Sequence, residues 1–183
     1  DGVDGVDGIA GLMSVTVSPD GSHVYAAGSN DSAIAVFSRD SSTGALTFVE
    51  MYQDGVDGVD GISYVSYVTV SPDGSHLYTA GSRNSAPIAV FSRDSSTGAL
   101  TYVASYSHYY LYGSGIAGVN SVTVSPDGSH VYAAGISDSA IAVFSRDSST
   151  GALTYVGMYK DEVDGVDGLS YVSSVTVSPD SSH

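Results

Sequence analysis

The residues with the clearest chemical potential are clustered carboxylates. The string DGVDGVDG stands at 1–8 and 54–61, and DEVDGVDG at 161–168. Acids therefore recur every third position, with Asp4 and Asp7 in the first loop, Asp54, Asp57 and Asp60 in the second, and Asp161, Asp164 and Asp167 in the third. Carboxylates beside glycines and free backbone carbonyls are hard oxygen ligands, suited to Ca²⁺. The spacing matches neither the EF-hand loop, which alternates every second position, nor the calcium-binding nonapeptide of parallel β-helices. A second reading therefore stands beside the first, in which each Asp-Gly pair forms a turn in a solvated loop.

A different chemistry marks 105–115, which reads SYSHYYLYGSG. Tyr106, Tyr109, Tyr110 and Tyr112 surround His108, and the stretch holds no acid. Tyrosine offers large rigid area with a polar tip, which suits contact with carbohydrate or protein. The competing reading packs these rings on a neighbouring unit. The remaining histidines, His23, His76, His130 and His183, all follow the same SPD turn, a recurrence that predicts a structural role rather than a metal ring. Serine, histidine and aspartate are so repeated that no triad is assigned, because a nucleophile needs one base oriented by one partner. No catalytic residue is named.

These residues hang on a repeat. SPDGSH begins at Ser18, Ser71 and Ser125, with SPDSSH at Ser178, a period of 53 to 54 residues. A period of this size signals stacked supersecondary units, none able to bury its own apolar faces alone. Within one unit, 14–18 alternates as a strand and Pro19 and Gly21 occupy type I turn positions. Strands follow at 23–27, 33–38 and 45–52, separated by clusters of Gly, Ser, Asp and Asn. Central strands with apolar residues toward both faces belong between packed sheets. Four short strands per unit predict an all-β fold, a β-propeller segment of four-stranded antiparallel blades. The blades fall near 9–53, 62–106 and 116–160, with an incomplete fourth from 169, giving three complete blades plus one extra inner strand.

The pattern V-S-P-D-G-x-x-V-Y, followed by I-A-V-F-S-R-D-x-x-T-G-A-L, resembles the lactonase-like (YVTN-type) seven-bladed propellers, in particular their highly repetitive bacterial members. The resemblance covers almost the whole chain. It implies the propeller fold and, through the 6-phosphogluconolactonase-like enzymes of the family, lactone hydrolysis. Activity in such enzymes rests on residues that differ between blades, and no such set stands out here. The first expectation is therefore a non-catalytic binding or scaffold propeller that presents acidic, cation-binding loops on one face. The alternative is a lactone hydrolase.

Composition narrows the partners. The net charge is −15, with only five Lys and Arg in 183 residues. Phosphate neutralisation needs basic side chains, so nucleic acid is not expected, nor is an anionic membrane surface. No apolar run approaches the roughly 20 residues of a membrane span. The absence of cysteine removes disulfide and thiolate chemistry. Low lysine with abundant Asp, Gly, Ser and Tyr leans toward an extracellular or periplasmic setting. In a four-strand meander, the two-to-three loops and the blade-to-blade loops share one end, and twelve of the 20 acids fall there. Three blades and a strand cannot close a ring alone. The expectation is self-association or further blades of the same protein, with an open array as the third possibility.

Overall fold

The computed structural model describes residues 2, 5–81, 88–107 and 113–180. Alternating, β-branched segments form twelve strands in three separate four-stranded sheets, with no helix among the described residues. Blade 1 holds β1 (Leu12–Val17), β2 (His23–Gly28), β3 (Ala33–Arg39) and β4 (Leu46–Gln53). Blade 2 holds β5 (Val65–Val70), β6 (His76–Gly81), β7 (Ile88–Arg93) and β8 (Leu100–Tyr106). Blade 3 holds β9 (Val119–Val124), β10 (His130–Gly135), β11 (Ala140–Arg146) and β12 (Leu153–Lys160). Each is an antiparallel meander in chain order. The first strands β1, β5 and β9 lie side by side across blades, which makes them the inner edge of the array.

The turn chemistry accounts for the tight connections. Gly21 N–H donates to the Ser18 carbonyl at 2.8 Å, closing the β1–β2 turn, and Asp20 accepts from the Ser22 amide and hydroxyl. At the β3–β4 turn, Asp40 Oδ1 accepts from the Ser42 and Thr43 amides, both at 2.8 Å. The same bonds recur at Asp94 and Asp147. Between third and fourth strands the register slips by one residue at the same place in every blade. The extra residues, Val49, Val103 and Val156, are exposed, as bulges that increase strand twist allow.

Packing lies between blades rather than within them. Tyr25, Ala27, Ile34 and Val36 of blade 1 are fully buried against Val65, Val68, Leu77 and Phe91 of blade 2. Tyr78, Ile88 and Val90 of blade 2 meet Val122, Val131 and Phe144 of blade 3 in the same way. Where a neighbour is lacking, the equivalent side chain is bare. Val15 is 54% exposed, whereas Val68 and Val122, at the same place in blades 2 and 3, are 2% and 0%. The extra inner strand expected from 169 onward forms no ladder at 173–178, since no second strand stands beside it among the described residues. It nevertheless holds the inner position next to β9, where the Val175 amide donates to Ser121 Oγ at 3.3 Å.

Candidate functional site

The densest polar chemistry is a latch between blades. The Arg93 side chain, at the end of β7, is wholly buried and reaches back into blade 1. Its Nε donates to Tyr25 Oη at 2.7 Å, its Nη1 to the Gly74 carbonyl at 3.0 Å, and its Nη2 to Asp20 Oδ2 at 2.9 Å and Ser22 Oγ at 3.2 Å. Nη2 also lies 3.1 Å from His23 Nδ1. Guanidinium can only donate, so this nitrogen accepts and the ring is neutral. Tyr25 Oη in turn donates a hydrogen bond to the Gly98 carbonyl at 2.9 Å. Arg146 repeats the arrangement onto Tyr78, Gly128, Asp73, Ser75 and His76.

Electrostatics follow from this packing. Burial raises the Asp20 and Asp73 carboxyls, but bonds from the turn serines and the arginine outweigh it and hold both below the ordinary carboxylate range. Burial, then the adjacent guanidinium, pushes His23 and His76 down from 6.5. Burial raises Tyr78 to about 12. Every group is committed to its neighbours, which is the arrangement of a structural junction. A second polar contact ties the outer strands, since the Leu100 amide donates to Tyr52 Oη and the Leu153 amide to Tyr106 Oη, each at 2.7 Å.

The residues singled out by sequence separate accordingly. Tyr106 packs on Phe144 with ring centroids 6.4 Å apart, repeating the Tyr52–Phe91 contact, so its ring and hydroxyl serve the junction. His108, Tyr109, Tyr110, Tyr112 and Asp4 lie outside the described residues. In the second acidic loop, Asp54 Oδ1 accepts the Ile62 amide at 3.0 Å while Val59 anchors in the core. In the third, Asp161 Oδ1 accepts the Leu169 amide at 2.7 Å. Asp7 accepts the Gly8 amide at 2.9 Å. Asp57, Asp60, Asp164 and Asp167 are exposed. Among the described residues, no three acidic or histidine side chains converge in a metal-binding group.

A groove of about 250 Å³ opens between the outer strands of blades 1 and 2, lined by Glu50, Tyr52, Gln53, Asp57, Thr101 and Tyr102. Tyr52 donates to Glu50 Oε1 at 2.6 Å. Burial first, and this carboxylate second, raise the Tyr52 phenol. Glu50 corresponds to Ala104 and Gly157 in the other blades by register. It is thus a blade-specific acid on a concave surface, and its departure from the repeat was a signal present in the sequence.

Three meanders with adjacent inner strands and latched faces define a segment of a β-propeller. The family model described as "Lactonase, 7-bladed beta-propeller" matches residues 15–164, and the chain belongs to that family. Comparison with curated proteins finds no significant match. Among solved structures, the chain is similar to a protein from Bacteroides fragilis described as a candidate 6-phosphogluconolactonase, with TM-score 0.72, 22% identity, and 85% of this chain covering 40% of that one. A protein from Bacteroides uniformis with the same description gives 0.70 and 24% identity, covering 83% and 41%. The periplasmic gluconolactonase of Pseudomonas aeruginosa gives 0.69 and 21%, covering 82% and 40%. The chain thus spans about 40% of the length of these structures, and likeness at this identity concerns the fold.

Proposed function

We propose that this chain supplies three blades to a propeller that hydrolyses a sugar lactone. The observation that carries this reading is the family match over residues 15–164. The neighbours described as gluconolactonases point the same way, so lactone hydrolysis stands ahead of the non-catalytic scaffold. Opening a lactone requires water to add to the ring carbonyl, a base to take its proton, and a donor to stabilise the developing oxyanion. The repeated Arg93, Arg146, His23 and His76 are already bound in latches. The reacting groups therefore belong among residues that differ between blades, with Glu50 the first to test.

The test follows acid release from glucono-δ-lactone and its 6-phosphate by pH-stat, against the spontaneous rate. Turnover above that rate, reduced at least tenfold in Glu50→Gln, supports hydrolysis with Glu50 taking part. Turnover unchanged by the substitution moves the site elsewhere, and no turnover removes the lactonase reading for this chain. The scaffold reading draws support from the exposed Asp57, Asp60, Asp164 and Asp167, which leave acidic loops free for a cation, carbohydrate or protein. An extracytoplasmic setting fits the periplasmic neighbour.

A further inference from the structure

The groove between β4 and β8 is walled by two blades that both belong to this chain. Tyr52 and Tyr102 each pack on the buried ring of Phe91, with centroids 6.4 and 5.7 Å from it, and together give the groove an aromatic lining. The Tyr52 hydroxyl is fully used, donating to Glu50 Oε1 at 2.6 Å and accepting the Leu100 amide at 2.7 Å. Among the described residues nothing bonds Glu50 Oε2 or Tyr102 Oη. The loop that follows β4 is closed by its own bonds. Gly55 N–H donates to the Val59 carbonyl at 2.8 Å, Val59 N–H to the Val56 carbonyl at 2.9 Å, and the Ile62 amide to Asp54 Oδ1 at 3.0 Å. These bonds hold Asp57, at a φ of 49°, on the exposed rim of the groove.

Two carboxylates thus stand beside two tyrosine rings, and no Lys or Arg lines the groove among the described residues. The repeat supplies an internal contrast. Tyr106 and Tyr155 pack on Phe144 as Tyr52 and Tyr102 do on Phe91, so the rings belong to the repeat. The charges do not. In blade 3, Gly157 stands at the place of Glu50 and Lys160 at the place of Gln53. There Lys160 lines the same concavity as Asp164, the counterpart of Asp57, and offsets its charge.

We propose that the blade 1–2 groove selects an uncharged sugar lactone over its phosphate ester, with Asp57 as the specificity-determining residue. The identity of the ligand rests on the lactonase reading; the selectivity rests on the groove. Ionised carboxylates only accept hydrogen bonds, so the hydroxyls of a sugar suit Glu50 and Asp57 while its ring lies against the tyrosines. A phosphate ester brings close to two negative charges. Proteins hold such a group with Arg, Lys or the N-terminus of a helix, and the described lining offers none of these. At about 8 Å in watery surroundings and 0.01 M salt, each carboxylate disfavours the ester about threefold, and both together about tenfold. At 0.15 M the screening length falls from about 30 Å to about 8 Å, which shrinks the combined preference to about threefold.

The test compares kcat/KM for glucono-δ-lactone and its 6-phosphate by pH-stat at both salt concentrations. The uncharged lactone is expected to lead about tenfold at 0.01 M and less at 0.15 M, and Asp57→Asn to narrow the low-salt lead about threefold. Glu162→Gln removes the same charge from an exposed position in the third acidic loop, away from the groove, and should leave the lead intact. Equal effects of the two substitutions would assign the discrimination to the overall charge of −15 and overturn the proposal. So would turnover of the ester at least equal to that of the uncharged lactone at 0.01 M. Ligand-observed NMR with D-glucose and glucose 6-phosphate separates this outcome from the fate of the lactonase reading. Absent turnover, glucose bound ahead of its phosphate in an Asp57-dependent way removes hydrolysis and keeps the selectivity. Turnover that favours the ester keeps hydrolysis and removes the selectivity, and a chain that neither turns over nor binds these sugars removes both.

Discussion

Arg39 and Arg93 occupy the same SRDSSTG context, yet replacing them with methionine should have very different effects. Methionine keeps most of the apolar stem and removes the donors. At Arg93 this strips Tyr25 Oη, the Gly74 carbonyl, Ser22 Oγ, His23 Nδ1 and Asp20 of a shared partner. Removing one member of a buried ion pair costs about 3–5 kcal/mol. The Asp20 side chain is 41% exposed, so water recovers part of that loss and about 3 kcal/mol is expected. Arg39 bonds only the Gly21 carbonyl among the described residues, which puts its replacement within about 0.5 kcal/mol. The gap of about 2.5 kcal/mol is nearly a hundredfold in the folding equilibrium. Urea titration reads it by far-UV circular dichroism and tyrosine fluorescence, since the chain has 14 Tyr and no Trp. Loss of the blade 1–2 latch should also separate an early blade 1 transition from the rest, as coupled repeats do when one interface weakens. Equal midpoint shifts for Arg39→Met and Arg93→Met would refute the latch as the source of coupling.

Gly98→Ala should destabilise by more than about 2 kcal/mol while Gly44→Ala loses about 1 kcal/mol. Both have positive φ, but a Cβ at Gly98 falls on the His23 ring and one at Gly44 meets nothing, a difference that thermal melts of the pair will read. Stability should decline on acidification in two windows. His23 and His76 resist protonation in the native state, so below pH 6.5 the unfolded chain binds more protons and stability falls by up to about 2.7 kcal/mol per pH unit for the two together. Asp20 and Asp73, held ionised in the fold, lose their contribution only below pH 3.8; a pH series of urea midpoints that is flat from 7 to 4 would contradict the neutral histidines. With Asp54 and Asp161 already accepting backbone amides, 1 mM Ca²⁺ at constant ionic strength should raise Tm by less than about 1 °C. A rise of several degrees that Asp57→Asn with Asp60→Asn abolishes would mean that the loops gather around the ion.

The strands were legible because their signals are local. Alternation, Pro19 and Gly21 in the turn, and the Asp40 cluster each act within a few residues, and the expected strands at 14–18, 23–27, 33–38 and 45–52 meet β1–β4 to within two residues at either end. The latch was not legible, and the repeat itself is the reason. With a period of 53 to 54, every unit offers an Asp, a His, a Tyr and an Arg at fixed places. The sequence cannot distinguish Arg39 pairing with Asp20 in its own unit from Arg93 doing so out of the next. Only the stacking of one sheet on another selects the second. The 173–178 segment copies β1, whose ladder partner is the second strand of its own blade, so its residues alone do not give it a pair.

Repetition also changes what a conspicuous residue means. In a single-copy domain, a buried arginine touching aspartate, histidine and tyrosine would invite an active-site reading, because pKa shifts of this kind cluster at functional sites. Here the same constellation occurs twice, 53 residues apart, and each time it bridges two sheets. A device present at every junction performs whatever every junction needs, which is cohesion between faces that would otherwise stand bare, as Val15 and Leu46 do. Specific chemistry requires a place that the other blades lack. Glu50 satisfies that condition, standing where its counterparts are Ala104 and Gly157 and facing a groove. The acidic loops satisfy it less, because their leading aspartates are spent on the same loop-closing bond in two copies. Lactone turnover, if it belongs to these blades, is therefore expected to follow Glu50 and not the arginines, whose replacement should act through stability alone.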